Sequence, residues 1–406
     1  MPTSTSVPLP DHVPAELVRP FPYILGEKTA KDPYSFVPDI HREPPVFWAE
    51  RVVNGVSGAW VPRRDQDIRA LFHDVEHFSN RGLAPFAELL GESWELVPAM
   101  YDPPRQGDYR RLLNPLFTPA KMALLEDKIR AYARDLALAL RDRGGCDFMR
   151  DFAFEFPIRV FLELMGLPQD KVGQFLEWEH GLLHEPDLEK IKQATRNVNA
   201  YLWDECEDRR VNPRDDLLTF AVRDAAVNGE PFTADEITGF CFNLFIGGLD
   251  TVSTSMGLQF RHLAEHPDHQ ATLRANPDMI PDAIEELLRA YSPILNRRLC
   301  IKDKTLHGAT IRAGDMVMVP TFLANRDPEA YSRPDEVILD RKPKHLTFAT
   351  GPHLCLGIHL ARRELRIAME EFLAHIPEFG IAPGAVIETY LQGTISPVAV
   401  PLVWRA

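Results

Sequence analysis

The sequence predicts a mainly helical fold with a minor β region. From Pro119 onward, apolar residues recur at spacings of three and four, which is the period of an amphipathic helix. Residues 299–320 and 385–404 instead alternate between apolar and polar side chains, as half-buried strands do. The 406 residues contain no repeat and no Gly/Ser linker. We therefore expect a single domain over 1–406, with a β-richer part over about 1–70 and a helical body over about 119–298.

The longest predicted helix runs from about Ala234 to Glu265. Thr233 and Glu236 have the spacing of a capping box, and His266 followed by Pro267 is typical of a helix end. At 1.5 Å per residue, a helix of this length spans roughly 45 to 50 Å. It is therefore expected to cross the whole molecule.

Composition excludes several functional classes. The chain has 45 Lys+Arg against 59 Asp+Glu, a formal net charge of −14, which argues against nucleic acid as the main partner. No stretch approaches about 20 uninterrupted apolar residues, and residues 1–23 lack a secretory signal, so we expect no membrane span. The cysteines are few, odd in number and widely spaced, which favours a reducing compartment and a cytoplasmic protein. They are Cys146, Cys206, Cys241, Cys300 and Cys355.

The most informative segment is the Cys loop, residues 348–357. Cys355 lies near its end, directly before a predicted helix, where the helix dipole and free amide N–H groups stabilise a thiolate. Gly351 and Gly357 would let the backbone approach a flat ligand. A thiolate held by amide hydrogen bonds is what a heme iron requires of a proximal Cys.

Two other interpretations of Cys355 are open at this point. A lone Cys near a helix start is commonly a small buried hydrophobe. Together with His345, His353 and His359, the thiol also suggests a copper or zinc cluster, although no familiar ligand spacing is met.

Two further motifs have a structural interpretation of their own. Gly247 and Gly248 lie inside the long helix, where each costs about 1 kcal/mol relative to Ala, so a packing or functional reason is expected. The packing reason would be a close crossing of two helices, with the Thr251 hydroxyl donating to a carbonyl one turn earlier. Glu286 and Arg289 have the spacing of an ordinary surface ion pair.

The Cys loop resembles the heme-binding signature of the cytochrome P450 family, Phe-Gly-x-Gly-x-His-x-Cys-x-Gly, with Ala349 where the signature has Gly. The resemblance covers nearly the whole chain and is strongest to the bacterial camphor-hydroxylase group. It implies the cytochrome P450 fold, with heme b between the long central helix and the helix after the Cys loop. Cys355 is then implied to be the axial ligand of the heme iron.

The resemblance also implies roles for residues outside the Cys loop. The long helix would be kinked over 245–251, where Thr251 would hydrogen-bond the bound oxygen and Asp250 would relay protons to it. Glu286, Arg289 and Arg341 would form a buried charge network that supports the heme pocket. The further implied heme contacts are Gln106, Arg110, Arg298, His353, Phe348, Gly351, Gly357 and Gly248.

The implied substrate pocket departs from that of the camphor hydroxylases. Trp94 stands near the position of their ketone-binding Tyr, and Asn243 brings a polar group to an apolar position, which points to a cyclic terpenoid or norisoprenoid ketone other than camphor. In that group, basic side chains of a preceding segment hold the Asp that relays protons. Residues 172–189 of this chain contain no Lys or Arg, so we expect Asp250 to be gated by His184 or by no side chain. The expected pocket residues are Phe86, Trp94, Asn243, Ile246, Gly247, Ile294 and Ile395.

The resemblance implies the activity of a heme-thiolate monooxygenase. It also implies that the protein is a monomer. Its electrons would come from a [2Fe–2S] ferredoxin, itself reduced by an NADH-dependent flavoprotein. Two alternatives share the fold, namely a heme-binding sensor or carrier without turnover and a peroxide-driven oxygenase. The intact Asp250-Thr251 pair argues against both, since neither needs a proton relay. A basic patch would steer the acidic ferredoxin, and it comprises Arg105, Arg110, Arg111, Lys342, Lys344 and Arg362.

Overall fold

A computed structural model describes residues 8–23, 26–53, 57–82, 84, 86–185, 187–391 and 393–405. Within these residues the α-helices are α1 (Val37–Ile40), α2 (Asp65–His73), α3 (Phe86–Leu90), α4 (Arg105–Leu113), α5 (Pro119–Ala123), α6 (Glu126–Arg141), α7 (Glu155–Met165), α8 (Val172–Leu183), α9 (Leu188–Val211), α10 (Leu217–Thr219), α11 (Ala234–Gly248), α12 (Asp250–Glu265), α13 (Pro267–Ala275), α14 (Ile280–Ala290), α15 (Thr321–Asn325) and α16 (Ile358–His375).

The strands of the same residues are short. They are β1 (Val18–Arg19), β2 (Lys28–Thr29), β3 (Val46–Val53), β4 (Ser57–Pro62), β5 (Phe78–Ser79), β6 (Gly145–Asp147), β7 (Ala226–Val227), β8 (Glu230–Pro231), β9 (Leu295–Cys300), β10 (Lys304–Leu306), β11 (Ala309–Ile311), β12 (Met316–Pro320), β13 (Phe379–Ile381), β14 (Thr389–Leu391), β15 (Ile395–Pro397) and β16 (Pro401–Trp404). The prediction of a mainly helical fold with a minor β region is therefore confirmed.

The chain forms two compact units. Unit 1 comprises the described residues of 1–83, 281–355 and 386–398. Unit 2 comprises the described residues of 84–280, 356–385 and 399–406. The expectation of a single cooperative domain stays a prediction.

Unit 1 is built on a six-stranded sheet of order β1-β3-β4-β12-β9-β5. Its core includes Trp48 and Trp60, which lie opposite each other on β3 and β4 with ring centroids 5.4 Å apart. β9 and β12 pair antiparallel, with Arg298 opposite Val317. β14 pairs antiparallel with β15 and with β2 in a second sheet. The strands predicted within 299–320 are present as β10, β11 and β12.

Unit 2 contains the helical body. α16 packs along α6, and α8 packs on α9. Aromatic rings of α12 and α16 pack around Phe148. The Phe148 ring stacks on Phe260 with centroids 4.2 Å apart, and it contacts the Phe372 ring edge-on with centroids 5.2 Å apart. A three-stranded sheet of order β13-β16-β6 adds to this core. No helix among the described residues combines the length and the apolar character needed to cross a bilayer.

The predicted long helix is divided in two. The capping box of Thr233 and Glu236 is present at the start of α11, and α12 ends at Glu265 before His266 as predicted. Between the two helices, Leu249 has φ −97° and ψ −75°, which interrupts the regular ladder. The two glycines that precede Leu249 weaken the helix, and side-chain hydroxyls that bond to backbone carbonyls compete with its ladder. The periodicity that predicts one uninterrupted helix is therefore wrong here, and the break lies within 245–251, where the resemblance implies a kink.

One carboxyl group in the core of unit 2 stands out. Glu364 on α16 is 3% exposed, and its Oε2 has no hydrogen-bond partner within the part of the chain that the structure describes. Burial raises the pKa of this carboxyl well above its usual value. The group therefore costs stability when it is ionised.

We expect Glu364→Gln to gain stability relative to the native protein as the pH rises from about 5 to about 8. A carboxyl whose pKa folding raises contributes stability below its unfolded pKa of about 4.3. It loses that stability as the pH rises toward the folded pKa, by up to about 1.4 kcal/mol per pH unit. Urea unfolding midpoints across this pH range measure the difference. The exposed Glu378→Gln serves as control, and identical curves for native protein and Glu364→Gln would contradict the expectation.

Candidate functional site

Cys355 is presented by an irregular turn in unit 1. The thiol is half-buried, whereas Cys206, Cys241 and Cys300 are buried as small hydrophobic residues are. The N–H of Cys355 donates to the carbonyl of Phe348 at 3.0 Å, which closes the Cys loop. The chain then enters α16 at Ile358, so the thiol stands three residues before a helix start, as predicted.

The copper or zinc interpretation of the Cys loop finds no support. Among the described residues, the metal-ligating atoms of Cys355, His345, His353 and His359 belong to no group of three that lies close enough to hold an ion. His345 instead faces Glu285, with Nε2 3.2 Å from the carboxylate.

The departure at Ala349 falls on a strained backbone position. Ala349 has φ +58°, in the left-handed region that favours glycine, and its N–H donates to Leu346 at 2.8 Å. Gly351 also has a positive φ, +71°, and a Cβ there would lie 3.0 Å from the carbonyl of Phe72. The glycine of the signature is therefore explained by the backbone, and this chain keeps the turn with an alanine.

His353 and Arg298, two predicted heme contacts, are both held in unit 1. His353 Nδ1 pairs with Asn80 Nδ2 at 2.9 Å, which fixes the imidazole. Arg298 is 5% exposed on β9, and its guanidinium lies 5.1 Å from the centre of the Phe72 ring. Sequence reasoning missed Asn80, and no local signal could have found a partner 273 residues away.

Gln106 and Arg110, the other predicted heme contacts of this kind, lie on α4 in unit 2. They are four residues apart and so share one face of the helix. Gln106 is 2% exposed and Arg110 is half-buried, so neither is the freely solvated side chain of a surface helix.

The charge network of Glu286, Arg289 and Arg341 is assembled in unit 1. Arg289 binds Glu286 with two parallel hydrogen bonds of 2.7 and 2.8 Å, and Arg341 Nε donates to Glu286 Oε1 at 2.9 Å. Glu286 and Arg289 are fully buried, so the interpretation as a surface pair is wrong. Arg289 also donates to the carbonyls of Asn325, Pro334 and Glu336, which fixes the segment that leads to the Cys loop.

The break between α11 and α12 carries the predicted oxygen-activation residues. Gly247 is exposed although Phe245 and Leu249 on either side are buried, and a Cβ on Gly247 or Gly248 would meet no described atom within 4 Å. Thr251 Oγ1 donates to the carbonyl of Gly247 at 2.8 Å. The back-bonding anticipated for Thr251 is therefore present, next to a helix surface that has space beside it.

The side chain of Asp250 lies close to His184, at the end of α8. Its Oδ1 lies 3.3 Å from His184 Nε2, and the same nitrogen lies 3.3 Å from Glu179 Oε1. His184 is therefore a contact of Asp250. Burial lowers the pKa of His184, but its hydrogen bonds and charge interactions with Asp250 and Glu179 outweigh this and raise the pKa to about 10. Burial raises the pKa of Glu179, and His184 opposes the rise.

The two polar residues predicted for the substrate pocket both have protein partners in unit 2. Trp94 Nε1 donates to Glu92 at 2.5 Å, and Asn243 Nδ2 donates to the carbonyl of Val97 at 3.1 Å. The ring of Phe242 lies 5.0 Å from Trp94 and 5.3 Å from Phe86. Sequence reasoning missed Phe242, although it lies four residues before Ile246 on the same helix face.

The remaining pocket residues are apolar and divided between the units. Ile246 is half-buried on α11 in unit 2. In unit 1, Ile294 forms an isolated antiparallel β-bridge with Thr394, and Ile395 is fully buried in β15.

Each unit, taken by itself, carries groups that suit a heme. Unit 1 offers a half-buried thiol before a helix start, and unit 2 offers glycine backbone in α11 where no side chain fills the space. Arg298 and Arg110 are guanidinium donors suited to carboxylates such as heme propionates.

Comparison with known proteins agrees with this chemistry. The family model for cytochrome P450 matches residues 174–377. Probable cytochrome P450 127A1 of Sinorhizobium fredii is 39% identical over 390 residues, 94% of either chain. Vitamin D(3) 25-hydroxylase of Pseudonocardia autotrophica is 32% identical over 83% of this chain and 85% of that protein. The crystal structure of cytochrome P450 CYP101C1 matches with a TM-score of 0.88 at 33% identity, covering 98% of this chain and 100% of that chain.

We expect Ala349→Gly to stabilise the protein by about 1 kcal/mol. The left-handed conformation costs an L-residue roughly 1–2 kcal/mol, and glycine avoids this cost. The greater conformational freedom of glycine in the unfolded chain offsets about 0.4–1 kcal/mol of the gain. Gly351→Ala is the matched control and should destabilise, because its Cβ would approach the Phe72 carbonyl. Urea unfolding of the heme-loaded proteins measures both changes. A destabilised Ala349→Gly would show that the alanine is not strained.

Proposed function

Because the chain belongs to the cytochrome P450 family, we propose that it hydroxylates a small hydrophobic cyclic terpenoid or norisoprenoid ketone. As a member of this family the protein is a monooxygenase that binds heme b and needs O2 and a redox partner. The proposal adds the substrate class, a [2Fe–2S] ferredoxin as the electron donor, and action as a monomer in the cytoplasm.

The observation that carries the proposal is the Cys loop, in which a half-buried thiol stands three residues before α16. Cys355 would bind the heme iron as thiolate, and the bound heme supplies the reduction and activation of O2. The hydrogen bond from the Cys355 N–H to Phe348 keeps the loop closed. Gln106, Arg110, Arg298 and His353 would hold the propionates.

Thr251 and Asp250 would supply protons during oxygen reduction. The Thr251 hydroxyl is held at the Gly247 carbonyl, beside glycine backbone that leaves room for a small molecule. Asp250 is buried at its contact with His184 and would carry a proton from there toward Thr251. A delivered proton is needed because the reaction takes place where water is excluded.

The substrate class rests on the apolar surroundings of Trp94. Rings of Phe86, Phe242 and Trp94 pack together in unit 2, which suits a compact hydrocarbon. Because the Trp94 indole N–H donates to Glu92, a substrate ketone would need another donor. This supports a ligand bound mainly by shape.

A ferredoxin partner is supported by exposed side chains that precede Cys355 in the sequence. Leu354, directly before it, is 38% exposed, and Lys342 and Lys344 are exposed on the segment that leads to the Cys loop. An apolar residue near exposed cations suits an acidic protein that donates electrons.

The test is a spectral titration of the heme-loaded ferric protein with a panel of cyclic terpenoid ketones, followed by turnover with ferredoxin, reductase and NADH. We expect a low-to-high-spin change with at least one ketone and a hydroxylated product from it. Cys355→Ala should lose the spectrum of the reduced carbon-monoxide complex. Product with hydrogen peroxide but none with the electron-transfer proteins would favour the peroxide-driven alternative.

For Thr251→Ala we expect product per NADH to fall by about tenfold or more while NADH and O2 consumption persist and peroxide rises. Ser253→Ala is the matched control, because Ser253 also bonds back to a carbonyl four residues earlier, that of Leu249 at 3.0 Å. Coupling in the control should stay unchanged. Equal coupling in Thr251→Ala and native protein would remove Thr251 from the mechanism.

A further inference from the structure

We propose that Glu179, His184 and Asp250 form a binding site for one zinc ion, and that zinc bound there slows turnover by taking Asp250 out of proton delivery. The site itself stands on geometry alone. Its effect on turnover rests on the proposed function.

The three side chains converge from two elements of unit 2. Glu179 is in the last turns of α8, His184 is the residue that caps α8, and Asp250 is the first residue of α12. One ligand atom of each lies within 4.8 Å of the other two. Within the part of the chain that the structure describes, this is the one group of three such residues that meets this criterion.

One nitrogen shared by two carboxylates sets this site apart from the other histidines paired with carboxylates. Charge-assisted N–H···O bonds are normally about 2.7–2.9 Å long. Pairs of a histidine with a single carboxylate vary in this protein, from 2.7 Å for His77 with Asp74 to 3.3 Å for His375 with Glu371. His184 Nε2 lies 3.3 Å from each of two carboxylates, those of Glu179 and Asp250.

Neighbouring ligands around a tetrahedral zinc are separated by a similar distance. With Zn–N and Zn–O bonds of about 2.0–2.1 Å, two ligand atoms lie about 3.3 to 3.4 Å apart. The two distances at His184 Nε2 therefore match two edges of a zinc tetrahedron. One imidazole and two carboxylates are also an ordinary ligand set for zinc, with the fourth position left for water.

The surroundings favour a divalent cation. The side chains of Glu179, His184 and Asp250 are 3%, 13% and 9% exposed, so two carboxylates share one base in a poorly hydrated place. Zinc would replace the Nε2 proton of His184 and neutralise both carboxylates. Thr254 Oγ1 donates to Asp250 Oδ1 at 3.4 Å, and the Phe154 ring meets the imidazole edge-on at 5.3 Å, so both ligands are oriented by second contacts.

A second histidine cluster must be distinguished from this site. His262 Nε2 lies 2.9 Å from His269 Nδ1, and the His262 and His266 rings stack at 4.2 Å. Their ligand atoms do not form a group of three at metal-binding separation in the described structure. The His262, His266 and His269 cluster therefore serves as the competing location in the test.

The first experiment measures zinc binding by the metal-stripped, heme-loaded protein in competition with a chromophoric chelator. We expect one zinc per chain, with one or more protons released. Affinity should fall at least about tenfold in His184→Gln and in Glu179→Gln. His375→Gln is the matched control, since His375 lies 3.3 Å from a single carboxylate, that of Glu371, and its affinity should be unchanged.

Two outcomes would overturn the site. One is native protein that binds zinc no better than His184→Gln. The other is binding that survives His184→Gln but is lost in His262→Gln, which would place the ion in the competing cluster. If the variants do not fold, zinc X-ray absorption on the native protein decides, because one imidazole with oxygen ligands supports the site and three imidazoles or any sulfur refutes it.

The second experiment tests the consequence for turnover. Zinc at the concentration that fills the site should slow product formation in native protein and in His375→Gln. It should have no effect in His184→Gln. Because zinc stoichiometry is measured without turnover, a protein that binds zinc but makes no product would refute the proposed function and leave the site standing. Zinc bound at His184 without slower turnover would refute the regulatory effect.

Discussion

One buried carboxylate, that of Glu286, determines how the segment before the Cys loop is held. Burying a charge is costly unless it is paired and fully hydrogen-bonded. Glu286 meets this condition with Arg289, Arg341 and the N–H of Ile338. Residues 326–350 contain no helix or strand that could satisfy their own backbone carbonyls. The two guanidinium groups donate to carbonyls within 332–336, so the charge network fixes this part of the stretch.

Irregular backbone occurs in the two places where chemistry is expected. Ala349 takes a left-handed conformation inside the Cys loop, and Leu249 interrupts the helix next to Asp250. Departures of this kind cost of order 1–3 kcal/mol and persist where the surrounding structure imposes them. The N–H of Cys355 is bonded within the Cys loop, to Phe348, and the N–H of Ala349 is bonded to Leu346 just before the loop. The cost at Ala349 is thus balanced by local hydrogen bonds.

Local features of the sequence predicted the elements well, and long-range contacts limited what could be predicted of the site. The capping box of Thr233 and the strand alternation depend on neighbours a few residues away, which the sequence displays directly. The hydrogen bond from Asn80 to His353 joins residues 273 apart, and no periodicity signals it. The periodicity over 234–265 missed the break at Leu249 for a different reason, although the resemblance implied a kink over 245–251. Glycine lowers helix propensity, but tertiary packing decides whether the helix continues through it. Gly247 and Gly248 alone therefore do not distinguish a broken helix from a continuous one.

The missing basic residues of 172–189 change the chemistry open to Asp250. Lys and Arg side chains at neutral pH only donate hydrogen bonds, so a carboxylate beside them forms an ion pair and nothing more. An imidazole loses its proton more readily and then offers a lone pair. His184 also reaches a second carboxylate, Glu179, so the same nitrogen meets two oxygens at equal distance. His184 therefore brings one imidazole nitrogen and two carboxylate oxygens together, and these groups include Asp250, for which we propose a role in proton delivery.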